Sequence, residues 1–384
     1  RPSLGCPTSR STTSDNNSAW RRAAAMAIAD INDLGGVLGR PLELLIADTE
    51  TVPAIAVSGA RRLVDEGVVV VIGAGASSST IAAAEQVLIP NGVLLISPSS
   101  TSPAIADLDD DDLVWRTVAS DVFQGRLAAA WAYDSGHRTT GILYVDNAYG
   151  LGLSAAFTRE FESLGGRVTA AIGYAELSSD EIVAFDYTRP VNGALEGNPD
   201  LIYLITYDQD GAKISVAAAS HLSSDYRPAF LGCDGNTSQA FVDNAAPDVI
   251  DGMVGTLPIA PEDNTDYLAF VDQYTRLYGI EPESFSESTY DAVYLAALAM
   301  VAAESSEPQE IARELRAVSA DGTPVTAQQF GLARDLLADN QDIDYRGAAG
   351  SLDFDEFGDI LSGTYRIWRI ENGSFTTIQT KTFP

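Results

Sequence analysis

The chain has 384 residues, 46% of them hydrophobic and 20% charged, which is enough for two lobes or domains with cores of their own. Its 54 acidic residues outnumber 23 basic ones, and the formal net charge of −31 argues against nucleic acid or an anionic membrane as a partner. The longest apolar runs are the size of strands, so no segment reaches the ~20 residues that a membrane-spanning helix needs.

Helices and strands alternate through the first quarter of the chain. Apolar residues from Trp20 to Ile31 follow helical spacing, with Ser18 as the N-cap and Gly35 after the last turn. The pattern then predicts a strand at 41–48, a helix at 54–65, a strand at 68–72, a helix at 80–89 and a strand at 93–96. Short β-branched strands joined by helices indicate a parallel sheet covered on both faces.

The same alternation restarts after residue 120 and predicts a second α/β lobe. The expected elements are helices at 122–133, 152–164 and 211–221 and strands at 141–146, 201–207 and 229–234. Residues 265–337 are predicted to be mostly helical, with 289–303 as an amphipathic helix. The C-terminus returns to strands at SLDF, TYRIWRI and SFTTI, with turns at EFGD and ENG.

The stretch VVVVIGAGASSST (68–80) resembles a dinucleotide-binding turn only in part. Such a site needs a third glycine, and Ser78 occupies that place. It also needs an acidic residue after the next strand, whereas SPSSTSP (97–103) follows there and the first acid is Asp107. The sequence therefore argues against NAD or FAD.

Two neighbouring strands each end in hydroxyl residues, Ser77–Thr80 and Ser99–Thr101. In an open α/β sheet, ligands bind at the carboxyl ends of the strands, where hydroxyls and free backbone N–H groups suit a carboxylate. The alternative is that these serines only cap helices.

No pattern of catalytic residues stands out. His137 and His221 lie far apart, and the sequence contains no nucleophile elbow, zinc-protease or Walker motif. LDFDEFGD (352–359) lacks the acid spacing of a calcium loop and is interpreted as a turn. Cys6 and Cys233 have no zinc-type spacing, and we expect free thiols. We therefore expect no enzyme activity, no metal and no cofactor.

An aromatic and acidic set marks the second half. Tyr149 follows the strand at 141–146, Tyr207 ends the strand LIYLITY, and Asp234 ends AFLGCD. Across a cleft from the hydroxyl clusters, these side chains would complete a site for a zwitterion. The alternative is that both tyrosines pack at a hinge and that Asp234 is a turn residue or the N-cap of a helix at 237–245.

The chain resembles the type I periplasmic substrate-binding proteins of ABC transporters, of the Leu/Ile/Val-binding kind. The resemblance rests on a succession of segments in the family's order: AMAIADINDLGGVLGRPLELLIAD, VIGAGASSST, LLISPSSTSPAI, VWRTVASDVFQG, ILYVDNAYGLG, YDAVYL and GSLDFDEFGD. It implies two Rossmann-like lobes, parallel sheets flanked by helices, joined by three hinge crossings. Lobe 1 would comprise 1–118 and 257–350, and lobe 2 would comprise 119–256 and 351–384, with the third crossing within 345–365.

The resemblance also implies roles for the first lobe's residues. Ser77 and Thr101 match hydroxyls that hold the ligand carboxylate and ammonium, with Ser78 beside Ser77 in the same turn. Ser99 would offer its backbone carbonyl to the ammonium. By approximate alignment, Asn16 or Asn17 and also Glu287 stand where branched-chain binders have aromatic residues, which argues against a leucine-like ligand side chain.

In the second lobe, Asp234 matches an acid that binds the α-ammonium, and Tyr149 and Tyr207 match aromatic residues that close over the ligand. The resemblance therefore implies an extracytoplasmic or periplasmic, monomeric solute-binding protein that captures a small zwitterion, an amino acid above all, by lobe closure. Its partner would be an ABC transporter permease. The first alternative is a ligand-sensing extracellular domain of a receptor or regulator. A nucleotide-using α/β enzyme is the other.

Overall fold

The computed structural model describes the backbone of residues 3–8 and the whole of residues 19–383, and in these ranges the chain divides into two compact units. Unit 1 contains the described residues up to Ala119 together with Ile259–Gly363, and unit 2 contains Ser120–Pro258 and Thr364–Phe383. Within the described residues the chain passes from one unit to the other three times. None of the helices between residues 19 and 383 is long and apolar enough to cross a membrane.

The strands alternate with helices along most of the chain. In chain order the strands are β1 Ser3–Thr8, β2 Glu43–Asp48, β3 Val70–Ile72, β4 Leu94–Ser97, β5 Val114–Arg116, β6 Thr139–Asp146, β7 Arg167–Ala175, β8 Leu201–Ile205, β9 Ala229–Gly232, β10 Val254–Ile259, β11 Thr323–Val325, β12 Ile343–Tyr345, β13 Gly363–Glu371 and β14 Ser374–Phe383. Of these, β5, β7, β10, β11 and β12 are absent from the elements that the sequence predicts. The predicted strand SLDF does not form, and Phe354 makes only an isolated bridge to Ile360.

The helices are α1 Ala19–Asp33, α2 Pro53–Asp65, α3 Ser77–Ala83, α4 Asp121–Asp134, α5 Ala148–Ser163, α6 Ser179–Ala184, α7 Thr188–Ala194, α8 Asp208–Ala219, α9 Gln239–Asn244, α10 Pro247–Ile250, α11 Thr265–Tyr278, α12 Ser286–Ala302, α13 Pro308–Leu315 and α14 Phe330–Ala338. A π-helical segment, Ala84–Leu88, continues α3, and a short 3₁₀ turn, Asp234–Asn236, follows β9.

Each unit is built on one main sheet. Unit 1 has the strand order β2-β1-β3-β4-β5, and every pairing in it is parallel. Unit 2 has the order β14-β13-β10-β9-β8-β6-β7, with parallel pairing from β10 through β7. The buried residues of β3, β4 and β8 are continuous apolar runs, as strands covered on both faces require. The predicted α/β architecture is confirmed.

The helix α12 differs from its prediction. Every residue from Ser286 to Met300 is buried, so this helix has no solvent face and the predicted amphipathic character is wrong. The cause lies in the composition, because alanines fill the positions where a surface helix would carry charges. The polar side chains find partners inside: the hydroxyls of Tyr290 and Tyr294 lie 3.4 Å apart.

Two helices begin earlier than predicted, and both carry candidate site residues. α3 begins at Ser77 rather than at residue 80. α5 begins at Ala148 rather than at residue 152, because the Asn147 side chain caps it by accepting the Gly150 N–H at 3.0 Å. Ser77 and Tyr149 therefore lie in first helical turns and not in loops.

Two predicted turns near the C-terminus are confirmed. Asn372 and Gly373 have φ angles of 53° and 74° between β13 and β14, as a two-residue type I′ hairpin turn requires. In LDFDEFGD, the Asp355 N–H donates to the carbonyl of Asp359 at 2.8 Å. The carboxylate of Asp359 pairs with Arg116, so this acid stabilises the fold of unit 1.

Candidate ligand-binding site

The turns that follow β3 and β4 lie against each other in unit 1. The Ser102 N–H donates to the side-chain oxygen of Ser77 at 3.2 Å, and the hydroxyl oxygens of Thr80 and Ser100 are 2.8 Å apart. The sheet thus brings together the two hydroxyl clusters of the sequence, because neighbouring parallel strands end at the same edge.

The helix-cap interpretation is wrong for the first cluster, and the serine that caps a helical turn nearby, Ser102, lies one residue beyond the second cluster. Ala76 occupies the N-cap position of α3, and no side chain caps that helix. Ser102, by contrast, caps the 3₁₀ turn Pro103–Ile105 by accepting the Ala104 N–H at 3.3 Å. The Ser77 side chain joins the two turns instead.

The predicted binding residues of unit 1 differ in the hydrogen bonds that they leave unmet. Ser77 is buried, Ser78 is half-buried, and the Ser99 hydroxyl donates to the Gly75 carbonyl at 2.9 Å. Thr101 is 1% exposed, and its hydroxyl has no hydrogen-bond partner within the described residues. Since an unpaired buried hydroxyl destabilises a fold by about 1–3 kcal/mol, Thr101 is the predicted binding residue whose hydroxyl a ligand could satisfy; the hydroxyl of Ser79 is buried without a partner as well.

A buried arginine fixes the second turn from behind. Arg116 is fully buried, and its guanidinium donates to the carbonyls of Ser100 at 3.3 Å and Ser102 at 2.8 Å. Its charge is compensated by the carboxylate of Asp359. Arg116 therefore positions the turn. This role could not be predicted from the sequence, since Asp359 is more than two hundred residues away from Arg116.

Glu287 lies at the beginning of α12 and is 7% exposed. The residue at the N-cap, Phe285, has a φ of 68°, which is a strained conformation for an aromatic residue. Trp20 holds this segment: its indole N–H donates to the Ser284 carbonyl at 2.8 Å, and its ring packs edge-to-face on Phe285. A Cβ atom at Gly75 would lie 2.5 Å from the same ring. Trp20 thus places the start of α12 beside the turn after β3.

Asn16 and Asn17, the other polar positions predicted for this region, lie outside the described residues, as does the predicted cap Ser18. The side chain of Cys6 lies outside them as well. Cys233, its suggested counterpart, is a free buried thiol, as expected.

Asp234 is the acid of unit 2 around which the other predicted residues gather. It is half-buried in the 3₁₀ turn after β9. Its Oδ1 accepts hydrogen bonds from the Tyr149 hydroxyl at 2.7 Å and from the Gln124 amide at 2.8 Å. The alternative role as a helix cap is wrong, because Ser238 caps α9 by accepting the Phe241 N–H at 3.1 Å.

Burial and hydrogen bonding act on Asp234 in opposite directions. Burial raises the pKa of its carboxyl group, while the hydrogen bonds from Tyr149 and Gln124 lower this pKa. None of the ion pairs in the described part of the chain involves Asp234. The carboxylate is thus oriented by neutral donors and carries a charge that no side chain of those residues compensates.

Cys233 does not have the surroundings of a reactive cysteine. Its sulfur lies 3.0 Å from the Tyr149 hydroxyl, whose hydrogen is donated to Asp234. Burial is the main cause that raises the pKa of this thiol, and the charge of Asp234 raises it further. A protonated buried thiol is a weak nucleophile, so its place here is structural.

The two predicted tyrosines form one aromatic surface. The rings of Tyr149 and Tyr207 are stacked, with centroids 5.6 Å apart and planes 17° from parallel. Asn147 donates to the Tyr207 hydroxyl at 3.2 Å and to the Glu176 carboxylate at 2.7 Å. Asn147 and Gln124 are not among the binding residues that the sequence predicts. The position of Asn147 directly after β6 is a signal that could have identified it.

Each unit thus contributes a distinct chemistry. The described residues of unit 1 offer hydroxyl groups and the backbone N–H groups of a helix start, which suit an anion. Unit 2 offers a stacked aromatic pair beside an oriented carboxylate, which suits a cation.

Comparisons with known proteins give the same family as the sequence motifs. A sequence model of the periplasmic binding protein family matches residues 6–340. The leucine-, isoleucine-, valine-, threonine- and alanine-binding protein of Pseudomonas aeruginosa is 29% identical over 298 residues, 77% of each chain. A chemotactic signal transduction substrate-binding protein of Halobacterium salinarum, BasB, is 29% identical over 343 residues, 87% of this chain and 78% of that protein.

Among solved structures, the leucine-binding protein LivK of Thermotoga maritima superposes with a TM-score of 0.79 at 25% identity, covering 99% of this chain and 98% of that chain. The resemblance inferred from the sequence is confirmed. With a family match over most of its length, this chain belongs to the periplasmic binding protein family.

Proposed function

We propose that the protein is an extracytoplasmic solute-binding protein that captures an amino acid, or a closely related zwitterion, and delivers it to an ABC transporter permease. Capture is reversible and involves no covalent chemistry. The relatives named above bind amino acids or serve as substrate-binding proteins, which supports this role.

The observation that carries the proposal is the state of Asp234. Its carboxylate is oriented by Tyr149 and Gln124, lies beside the stacked pair of Tyr149 and Tyr207, and has no ion-pair partner in the described residues. A half-buried carboxylate without a cation is costly unless a ligand supplies the positive charge. An α-ammonium group has the charge and the hydrogen-bond donors for this place.

The carboxylate end of the ligand is assigned to unit 1. The hydroxyls of Ser77 and Thr101, with Ser78 and Ser99 in the same turns, provide hydrogen bonds of the kind that a carboxylate accepts.

The proposal is tested by a thermal-shift screen of the common amino acids, followed by calorimetric titration of those that stabilise the protein. Asp234→Asn keeps the shape of the side chain and removes the charge. Losing one partner of a desolvated charge pair costs about 2–5 kcal/mol, which is about 30- to 4,000-fold in affinity. Glu162→Gln is the matched control, since it removes one negative charge from an exposed position on α5 of the same unit.

We expect Asp234→Asn to lose at least about 30-fold in affinity, and the control to bind like the unaltered protein. Equal affinities of Asp234→Asn and the control would contradict the role of Asp234. A screen in which no amino acid raises the melting temperature would contradict the amino-acid assignment.

A second candidate function is delivery of the ligand to a signal transducer. The similarity to the chemotactic substrate-binding protein of Halobacterium salinarum favours it, since that relative spans 87% of this chain. The two functions differ in the partner of the ligand-bound protein. Deletion of the gene should abolish uptake of the radiolabelled ligand if the partner is a permease, and should abolish only the behavioural response if it is a transducer.

A further inference from the structure

A second acid of unit 2 has an unsatisfied oxygen. Asp210 lies in the first turn of α8 and is 4% exposed. Its Oδ2 accepts a hydrogen bond from the Tyr174 hydroxyl, whereas its Oδ1 has no partner within the described residues. None of the ion pairs in that part of the chain involves Asp210.

Tyr187 supplies a second buried polar atom without a partner. This residue is 3% exposed, and its hydroxyl makes no hydrogen bond within residues 19–383. Its ring packs edge-to-face on Tyr174, with centroids 5.6 Å apart. Burial raises the pKa of Tyr187, and the nearby charge of Asp210 raises it further. Two buried oxygen atoms that no side chain of the described residues hydrogen-bonds, Oδ1 of Asp210 and the hydroxyl of Tyr187, thus belong to one cluster, formed by Tyr174, Tyr187 and Asp210.

This cluster adjoins the ligand-binding residues of unit 2. α8 begins directly after Tyr207, and the Gly211 N–H donates to the Tyr207 carbonyl at 2.8 Å. After burial, the charges of Glu176, Asp210 and Asp234 all raise the pKa of the Tyr207 phenol. The Tyr207 side chain therefore lies near Asp210 as well as near Asp234.

We propose that Asp210 and Tyr187 form the subsite for the ligand's side chain, and that this side chain carries an ammonium or guanidinium group. The inference rests on the proposed function, in which Asp234 binds the α-ammonium. Asp210 and Asp234 take part in none of the ion pairs of the described residues, and a ligand with two positive groups would compensate both carboxylates, which is the chemistry of a basic amino acid. Tyr187 would accept a hydrogen bond from the same cationic group.

Pairs of nearly isosteric amino acids test this assignment by calorimetric titration. Lysine is compared with norleucine and arginine with citrulline, because each pair differs mainly in the side-chain charge. We expect lysine or arginine to bind at least about 100-fold more tightly than its neutral partner, since the neutral ligand leaves a buried carboxylate unpaired.

Variants then assign the preference to the cluster. Asp210→Asn should reduce the affinity for the cationic ligand to that of its neutral partner, while Glu162→Gln, the exposed control, leaves the preference unchanged. Tyr187→Phe should reduce the affinity for the cationic ligand by about 5-fold, because one hydrogen bond is lost. Melting temperatures of the variants establish that each is folded, and Tyr187→Phe provides the test if Asp210→Asn does not fold.

Three results would overturn the inference. If neutral amino acids bind as tightly as cationic ones, and Asp234→Asn weakens the binding of both, the proposed function stands and the assignment of a cationic subsite is wrong. If the preference for lysine or arginine survives both Asp210→Asn and Tyr187→Phe, the subsite lies elsewhere. If no amino acid binds, the proposed function and the inference both fail.

Discussion

Replacing Tyr149 by phenylalanine separates the two roles that the structure gives this residue. The ring can still stack on Tyr207, but the hydroxyl that donates to Asp234 Oδ1 at 2.7 Å is removed. Tyr149 is 3% exposed, so water does not readily replace the lost donor. The substitution therefore tests whether orientation of Asp234 matters for binding, without removing the carboxylate itself.

The size of the effect follows from the hydrogen bonds at Asp234. A hydrogen bond to a charged group contributes about 1.5–3 kcal/mol. Because the Gln124 amide still donates to Oδ1 at 2.8 Å, the lower end of that range applies. A loss of about 1.5 kcal/mol weakens amino-acid binding by about 10-fold.

The pH dependence of binding distinguishes this effect from a simple packing defect. The Tyr149 hydrogen bond lowers the pKa of Asp234, so its removal lets this pKa rise. Titrations between pH 5 and 8 should show that affinity is lost on acidification at a higher pH in Tyr149→Phe than in the unaltered protein. Tyr226→Phe, which removes a hydroxyl bound to the Pro199 carbonyl, is the control. Unchanged affinity and an unchanged pH profile in Tyr149→Phe would refute the reasoning.

Two further predictions concern the stability of the units. Gly141→Ala should destabilise unit 2, because the new Cβ would lie 1.9 Å from the Ala194 carbonyl oxygen. The expected loss in the free energy of unfolding is several kcal/mol, on the order of other overpacked buried sites. A midpoint of urea unfolding that is unchanged from the unaltered protein would contradict this prediction. Burial raises the pKa of Asp291 to about 7, so the folded protein retains a proton that the unfolded chain loses near pH 4. The free energy of unfolding should therefore fall as the pH rises from about 4 to about 7. In thermal melts at several pH values, Asp291→Asn should show a smaller fall in stability over this range. An equal fall in the variant and the unaltered protein would show that Asp291 does not cause it.

The parts of the site that adjoin strand ends could be predicted from the sequence. Ser77, Ser99 and Asp234 each follow a short apolar strand, and parallel strands place such positions at one edge of a sheet. That rule explains why the turn that contains Ser77 contacts the turn that contains Ser99. It also explains why Tyr149 lies within hydrogen-bond distance of Asp234. The alternation of strands and helices was also sufficient to predict the α/β architecture of both units.

The supporting residues could not be predicted because their partners come from distant segments. Gln124 reaches Asp234 across 110 residues and Arg116 reaches Asp359 across 243, and a single sequence gives no measure of either distance. The burial of α12 depends likewise on neighbouring helices, so its apolar positions did not reveal that all its faces are covered. The unpaired oxygen of Asp210 is visible only once its surroundings are known.

The account depends most on the assignment of the ligand's ammonium group to Asp234. A crystal structure of the protein with the amino acid that stabilises it most tests this assignment directly. We expect the α-ammonium nitrogen about 2.7–2.9 Å from a carboxylate oxygen of Asp234, with the ligand carboxylate at the hydroxyls of Ser77 or Thr101. A bound amino acid whose ammonium group contacts neither oxygen of Asp234 would contradict the central claim.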